Sequence, residues 1–240
     1  MQYSFIHNPE KNNSKKILYP SKSQSTEIKP KNFIPIHNKI INKTKYSFYN
    51  TKDLVFVFTD TRPNKNDGLI QLCIPAAYTE GNKIDGKYKI RVEKGTLNHR
   101  LEGMLVIAID SIYILRMNRT SSVEKFDIPE QNTISYFQQS LYLKNGKVLT
   151  EFMDRQIYQR RGCIKKIDGS LEIVESETAI TVEKFAIDMK QEGALDLLNL
   201  DMGTYSEGWY RSGNKIQSVG NNTSATHKQT NWLILKNKAK

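Results

Sequence analysis

Cysteine and histidine are scarce in this chain of 240 residues, which has two cysteines and four histidines. It contains no CxxC pair and no HExxH sequence, and the scattered histidines show no metal-ligand spacing. The sequence therefore predicts neither a metal centre nor a cofactor. Cys73 and Cys163 both lie in apolar, strand-like segments. That setting favours buried free thiols over a disulfide.

Long hydrophobic runs are also lacking. The longest, from Met104 to Leu115, is about half of a membrane-spanning length and contains Asp110, so we predict no transmembrane segment. The first 16 residues lack the apolar core of a secretory signal. Two interpretations stay open: a cytoplasmic protein without a signal peptide, or a secreted or periplasmic protein whose leader was removed.

What the chain has in excess is positive charge, with a formal net charge of +11. Residues 1–52 contribute +8, from ten lysines against Glu10 and Glu27, and the last five residues contribute +3. The residues between them are neutral, with 23 basic and 23 acidic side chains. We therefore predict a basic, flexible arm over residues 1–45 and a folded domain over residues 46–236. The neutral body argues against a nucleic-acid-reading surface.

The arm admits two functional interpretations. Its richness in Lys, Asn and Ser is typical of a solubilising, low-complexity tail. The alternative is attachment to nucleic acid or another anionic surface, which deletion of residues 1–45 would abolish together with its salt dependence.

Many short strands and few helices are predicted by the hydrophobic pattern. Alternation and β-branched residues favour strands at residues 54–58, 69–74 and 87–92, and on either side of Asp110-Ser111. With 38% hydrophobic residues, the chain is long enough to bury a substantial core.

Hairpins and one helix have clear local signals. Asn145-Gly146 and Asp168-Gly169 are typical of tight turns between antiparallel strands. Thr181 is a suitable N-cap for a helix that Gly193 ends. A second helix or turn is expected near Pro129 to Gln139. These features predict an α+β fold with a mixed, mostly antiparallel sheet.

Four features of the C-terminal half occur in a recognisable order. They are a Gly-Lys hairpin near residue 146, an Arg that opens the next hairpin, the Thr-capped helix ending in Gly193-Ala194, and Asn199-Leu-Asp201 followed by a turn. In this order the sequence resembles the phosphodiester glycosidase family, the N-acetylglucosamine-1-phosphodiester α-N-acetylglucosaminidase-like domains. The resemblance covers roughly residues 138–235 and extends more weakly back to residue 46.

The resemblance implies a hydrolase that cleaves a sugar from a sugar-1-phosphodiester or a related glycoconjugate. It carries over Asp201, Gly203 and Ser206 from the family's Gly-rich turn. This chain has Asp-Met-Gly-Thr-Tyr-Ser where the family has Asp-Gly-Gly-Gly-Ser-Ser. The altered turn motivates an alternative, a non-catalytic relative that binds carbohydrate or a surface polymer.

The residue chemistry suits that reaction. Asp201 follows a buried strand and precedes a turn with small residues, so the strand fixes a carboxylate that a substrate can approach. Arg161, or its neighbour Arg160, offers a planar guanidinium for a bidentate grip on a phosphodiester. Glu207 supplies a second carboxylate, as glycosidic cleavage commonly uses.

Aromatic and amide side chains of the same region suit a sugar. Trp209 and Tyr210 offer rings that stack on a sugar face. The residues predicted to hydrogen-bond sugar hydroxyls are Asn199, Asn221, Thr226 and Asn231. The expected partner is thus a carbohydrate or a sugar phosphate, while the sugar and the oligomeric state stay open.

Structural roles remain open for the same side chains. Asp201 is also suited to cap a turn through its carboxylate. Arg160 and Arg161 can pair with Glu172 or Asp168 across the hairpin. The two aromatic residues can pack in the core or at its rim.

Overall fold

The computed structural model describes residues 33–77, 82–84, 87–89, 101–117, 133–149, 155–202, 206–221, 227 and 229–238. The elements in this part of the chain are β1 (Ile36–Ile41), β2 (Thr44–Asn50), β3 (Leu54–Thr59), β4 (Ile70–Pro75), β5 (Asn82–Ile84), β6 (Lys87–Lys89), β7 (Gly103–Ala108), β8 (Ile112–Arg116), β9 (Thr133–Gln139), β10 (Leu141–Lys144), β11 (Lys147–Val148), β12 (Arg161–Lys166), β13 (Leu171–Ser176), α1 (Val182–Gln191), β14 (Ala194–Leu200), β15 (Gly208–Ser212), β16 (Lys215–Val219) and β17 (Trp232–Asn237).

The strands form three sheets. The large sheet has the order β1-β2-β13-β12-β14-β10-β11, the second sheet β16-β15-β4-β17-β3, and the third sheet β6-β5-β9-β7-β8. Among the described strands every pairing within these sheets is antiparallel. The predicted mostly antiparallel architecture with few helices is confirmed.

Local turn and cap signals form as predicted. Asn145 and Gly146 have φ angles of 50° and 73°, the left-handed pair that a type I′ turn between β10 and β11 requires. Gly169 has a φ of 82° in the turn between β12 and β13. The Thr181 side chain accepts the N–H of Lys184 at 3.1 Å and so caps α1.

The main core lies on one face of the large sheet, and α1 covers the opposite face. Alternation along β12 shows the division, because Cys163 belongs to the main core and Ile164 packs in the cluster under the helix. On the second sheet, Leu72 faces the main core while Cys73 faces the outer cluster that contains both tryptophans. Strand periodicity therefore fixes which side chains point between the sheets.

The predicted helix or turn near residues 129–139 is wrong from Thr133 onwards. Residues 133–139 form β9, which lies between β5 and β7 in the third sheet. Tyr136 and Phe137 enter different clusters on the two faces of this strand, and both are buried. An interior strand that is buried on both faces loses the simple alternation by which a strand is recognised.

The N-terminal boundary of the sheet lies earlier than the predicted arm boundary. Residues 36–41 form β1, which pairs with β2 over six residue pairs from Ile36↔Tyr49 to Ile41↔Thr44. Residues 36–45 of the predicted arm therefore belong to the large sheet or to its first turn, whereas residues 1–32 lie outside the described residues.

Both cysteines are buried and free, as predicted. Burial raises the pKa of the Cys73 thiol and of the Cys163 thiol to about 12, so both stay protonated and unreactive at neutral pH. No helix within the described ranges is long and apolar enough to cross a membrane.

Candidate active site around Asp201

Asp201 lies where the large sheet meets the second sheet. Its backbone N–H donates to the carbonyl oxygen of Ala76 at 3.0 Å, so the chain leaving β14 is tied to the chain leaving β4. Asn231 extends this junction, because its amide donates to and accepts from the backbone of Ala77 at 2.9 Å in each direction. Backbone contacts thus fix the place from which the Asp201 side chain projects.

A buried ion pair lies directly beneath. Arg161 is fully buried, and its Nε and Nη2 atoms donate to one carboxylate oxygen of Glu175 at 3.1 and 2.8 Å. These two residues are partners across the β12–β13 register. Because Cys163 faces the main core, Arg161 two positions earlier also points between the sheets.

The same guanidinium also donates to the backbone at Asp201 and at Ser206. Arg161 Nη2 donates to the carbonyl oxygen of Ser206 at 3.0 Å, and Nη1 donates to the carbonyl oxygen of Asp201 at 3.4 Å. Residues 203–205 lie outside the described residues. Gly203, predicted to bind substrate, is one of them.

Close packing around Ser206 needs a glycine. Gly220 has a φ of 68°, and a Cβ atom there would lie 2.1 Å from the carbonyl oxygen of Ser206 and 2.9 Å from Nη2 of Arg161. The next residue, Asn221, donates its backbone N–H to the Ser206 hydroxyl at 2.8 Å. Ser206 and Asn221, both predicted in the site, are therefore neighbours there.

The Asp201 carboxyl has a perturbed pKa. Burial raises this pKa from the usual 3.8 to about 6, against the opposing effects of the Arg161 charge and of hydrogen bonds from the Met202 backbone and the Gln229 side chain. Desolvation of the carboxylate thus outweighs its favourable neighbours. The result is a carboxyl group that changes its charge near neutral pH.

Glu207 has surroundings of its own. It is buried, and one of its carboxylate oxygens lies 2.9 Å from Nη2 of Arg62 and 3.8 Å from Nζ of Lys65. Arg62 also lies over the ring of Trp232, at 5.1 Å from its centroid, on the outer face of the second sheet. In the part of the chain that the structure describes, no hydrogen bond or ion pair joins Glu207 to Asp201 or Arg161.

The aromatic residues pack within the protein. Trp209 is fully buried in the outer cluster of the second sheet, which matches the core-packing alternative rather than an open sugar platform. Tyr210 faces the other way and meets Tyr49 edge-on, with 5.8 Å between ring centroids.

Arg160 and Asn199 lie on the helix side of the large sheet, away from Arg161. Arg160 donates to the carbonyl oxygens of Ile180 and Gln156 at 3.1 and 2.6 Å. Asn199 stands between two leucines that face the main core, so its own side chain points to the opposite face. The structure does not bring these two predicted residues to Asp201, and Thr226 lies outside the described residues.

Sequence reasoning missed the partner of Arg161. The expected partners were Glu172 or Asp168, but the carboxylate is that of Glu175. Counting residue pairs outward from a two-residue Asp168-Gly169 turn would pair Arg161 with Ser176. The observed register is instead centred on Asp168, which lies seven residues from both Arg161 and Glu175. Gln229 and Gly220 carried no sequence signal, since their roles depend on loops that meet only in the fold.

The described residues offer no set of side chains that could coordinate a metal ion. No group of three or more His, Cys, Asp or Glu side chains there is arranged to hold a metal ion.

Comparison with known proteins yields structural similarity only. No protein-family model and no curated protein matches the sequence. The chain is similar in structure to the zebrafish N-acetylglucosamine-1-phosphodiester α-N-acetylglucosaminidase catalytic domain, auto-inhibited by its pro-peptide, with a TM-score of 0.57 and 11% identity over 86% of this chain and 82% of that one. A hypothetical protein from Synechocystis is more distant, with a TM-score of 0.43 and 10% identity over 85% of this chain and 62% of that one. The zebrafish likeness shows a related fold.

Proposed function

We propose that this protein is a hydrolase that releases a sugar from a sugar-1-phosphodiester, with the ionised Asp201 carboxylate accepting the proton of the attacking water. The observation that carries the proposal is a partly buried carboxyl group with a pKa of about 6, located where two sheets meet. Such perturbed groups concentrate at functional sites. The fold similarity to a phosphodiester α-N-acetylglucosaminidase domain supports the choice of reaction.

The chemistry of this substrate makes a base more useful than an acid. Water adds to the anomeric carbon while the bond from that carbon to the phosphate oxygen breaks. The electron pair leaves on the phosphate oxygen, so the phosphodiester departs as a stable phosphomonoester anion that needs no proton from the enzyme. A carboxyl group with a pKa of about 6 is ionised at neutral pH and is still basic enough to accept the proton from water.

Arg161 contributes to this proposal through position and charge. The sequence suggests a direct grip on the phosphate, whereas the folded guanidinium binds Glu175 and the carbonyl oxygens of Asp201 and Ser206. It thereby holds the backbone of Asp201 and Ser206 next to the reacting carboxylate and keeps a positive charge near an anionic substrate. We assign it the role of a positioning residue.

A panel of sugar-1-phosphodiesters incubated with the purified protein tests the function. We expect release of the free sugar by the wild type and a loss of at least about 100-fold in kcat for Asp201→Asn, the range typical of a missing acid–base group. Asp53→Asn is the matched control, because Asp53 is exposed in a turn with a φ of 68° that Asn also tolerates. Equal rates for wild type and Asp201→Asn would remove Asp201 from the mechanism.

Glu207 as a second carboxylate is a separate part of the proposal. Its carboxylate is held by Arg62 and Lys65, so Glu207→Gln removes a charge without removing volume. A fall in kcat with an unchanged unfolding midpoint would support a role in the reaction. An unchanged kcat would leave Asp201 to act without it.

Carbohydrate binding without turnover is the second candidate function. Full burial of Arg161 favours it, because a phosphodiester cannot touch this guanidinium directly. Saturable binding of the sugar phosphates without release of sugar, equally strong in Asp201→Asn, would support this candidate over the hydrolase.

A further inference from the structure

A second concave site lies at the opposite end of the main core from Asp201. It is a cleft of about 570 Å³ between the start of β3, the β7–β8 turn and the β12–β13 hairpin. This size is in the range of pockets that hold small molecules. Strand β12 connects the two sites, because it begins at Arg161, beside Asp201, and reaches the cleft at Lys165.

Several side chains that line the cleft belong to the main core or pack against it. Phe56 and Ile107 line it and are buried members of that core. Leu54, Ile112 and Leu171 also line it and are only partly buried, packing against the same core. A ligand in the cleft would therefore cover apolar surface that the protein itself leaves partly open.

The positive charge at this cleft is only partly balanced. Lys165 and Lys238 both line the cleft, and neither has a carboxylate partner among the described residues. Neighbouring lysines do have partners: Lys166 lies 2.7 Å from Glu172, and Lys144 lies 3.0 Å from Asp196.

Of the two lysines, Lys165 is the better placed to pair with a ligand in the cleft. It follows Cys163 by two positions in β12, so its side chain starts on the core-facing side of the sheet. It is partly buried, and it lines the cleft together with apolar side chains. The exposed carboxylate of Asp110 lies on the lining too, which leaves the cleft with two positive charges against one negative.

We propose that this cleft binds a small monoanionic ligand with an apolar body, such as a medium-chain or aromatic carboxylate. The apolar body covers the exposed core residues, and the anionic head pairs with Lys165, with Lys238 nearby. The single net positive charge of the lining selects one negative charge. This site is separate from the proposed hydrolase site and does not depend on it.

Calorimetric titration with three probes tests the proposal on the full chain. Octanoate has both the anionic head and the apolar body, 1-octanol has the body alone, and inorganic phosphate has the charge alone. We expect one saturable site for octanoate and affinities about tenfold weaker or worse for the other two, because each lacks one half of the interaction. Lys165→Met should weaken octanoate about tenfold, since it keeps the length of the side chain and removes the charge.

Two variants show whether octanoate binds at this cleft or elsewhere on the protein. Lys215→Met removes an equivalent charge from exposed β16, and Asp201→Asn alters the proposed hydrolase site. Both should bind octanoate as the wild type does. Equal affinity for octanoate and 1-octanol, unchanged octanoate binding in Lys165→Met, or no saturable octanoate binding would each overturn the proposal. A loss of binding in Asp201→Asn would also overturn it, by moving the octanoate site to the hydrolase end.

Discussion

The two ends of strand β12 carry similar side chains in different surroundings. Arg161 and Lys165 are both cations on the core-facing side of the strand, with Cys163 between them. Arg161 is fully buried and is held by Glu175 and two backbone carbonyls. Lys165 is partly buried, lines an open cleft and has no carboxylate partner among the described residues.

The difference shows how burial decides the partner that a cation needs. A guanidinium removed from water requires a matching carboxylate and further acceptors, and these hold the chain rigid. An ammonium group at an open end stays in contact with solvent on its flexible stem. One end of the core thus encloses the Arg161–Glu175 ion pair beneath Asp201 and is called the closed end here, and the other end, at Lys165, borders the cleft and is called the open end.

The largest effect should come from removing the partner of Arg161. Glu175→Gln keeps the shape of the side chain and leaves a buried, uncompensated charge, so we expect a loss of about 3–5 kcal/mol in the free energy of unfolding. Urea denaturation measures it. Glu177→Gln is the control, because its ion pair with Lys45 is exposed, with side-chain exposures of 49% for Lys45 and 39% for Glu177.

That control should cost about 1 kcal/mol or less, as exposed ion pairs usually do. Similar small losses in both variants would show that the buried pair does not hold the closed end together.

A slightly smaller loss of stability is expected at Gly220, where the closed end leaves no space for a side chain. Gly220→Ala places a Cβ atom against the carbonyl oxygen of Ser206 at a positive φ, and should cost about 2–4 kcal/mol. Gly213 has a φ of 60° with open space around it, so Gly213→Ala isolates the backbone cost at about 1 kcal/mol. Equal costs, measured by thermal unfolding, would mean that the packing at Ser206 is loose.

The pH dependence of stability should separate Asp201 from other acids. Folding raises its pKa from 3.8 to about 6, so the protonated form is favoured in the fold. This stabilisation is complete below the unfolded pKa and is lost as pH rises through 6. Relative to Asp201→Asn, the wild type should lose about 2 kcal/mol between about pH 4 and pH 7. Parallel unfolding curves for the two proteins would contradict the raised pKa.

The smallest effect is expected at the open end. Lys165→Met removes no ion pair that the described residues provide, so the free energy of unfolding should change by less than about 0.5 kcal/mol. Lys144→Met removes the partner of buried Asp196 and should cost more. A large loss in Lys165→Met would show that this end is closed as well.

The sequence predicted those parts of the fold that depend on local chemistry. The Asn145-Gly146 and Asp168-Gly169 turns and the Thr181 cap formed as expected, because each needs only a few neighbouring residues. It failed at Thr133–Gln139, a strand buried on both faces. The sheet order, which joins β4 to β15 and β17, depends on contacts distant in sequence that no local pattern encodes.

The candidate site was predictable to a similar degree. The strand-end position predicted Asp201, the family resemblance added Ser206, and the chemistry of the guanidinium added Arg161. In the structure Arg161 donates hydrogen bonds to the carbonyl oxygens of the other two. Strict alternation along the strand would have separated Arg160 from Arg161, since adjacent residues face opposite sides. The hydrogen bond from Gln229 to Asp201 could not be predicted from the sequence, because the two residues are far apart along the chain.

The most direct test of the central claim is the pH dependence of kcat/KM for release of sugar from a sugar-1-phosphodiester. If the Asp201 carboxylate accepts the proton from water, kcat/KM should rise with pH through an apparent pKa of about 6. Asp201→Asn should lose the activity, while Asp53→Asn should retain the wild-type curve. An activity that persists in Asp201→Asn with the same rise near pH 6 would contradict the account.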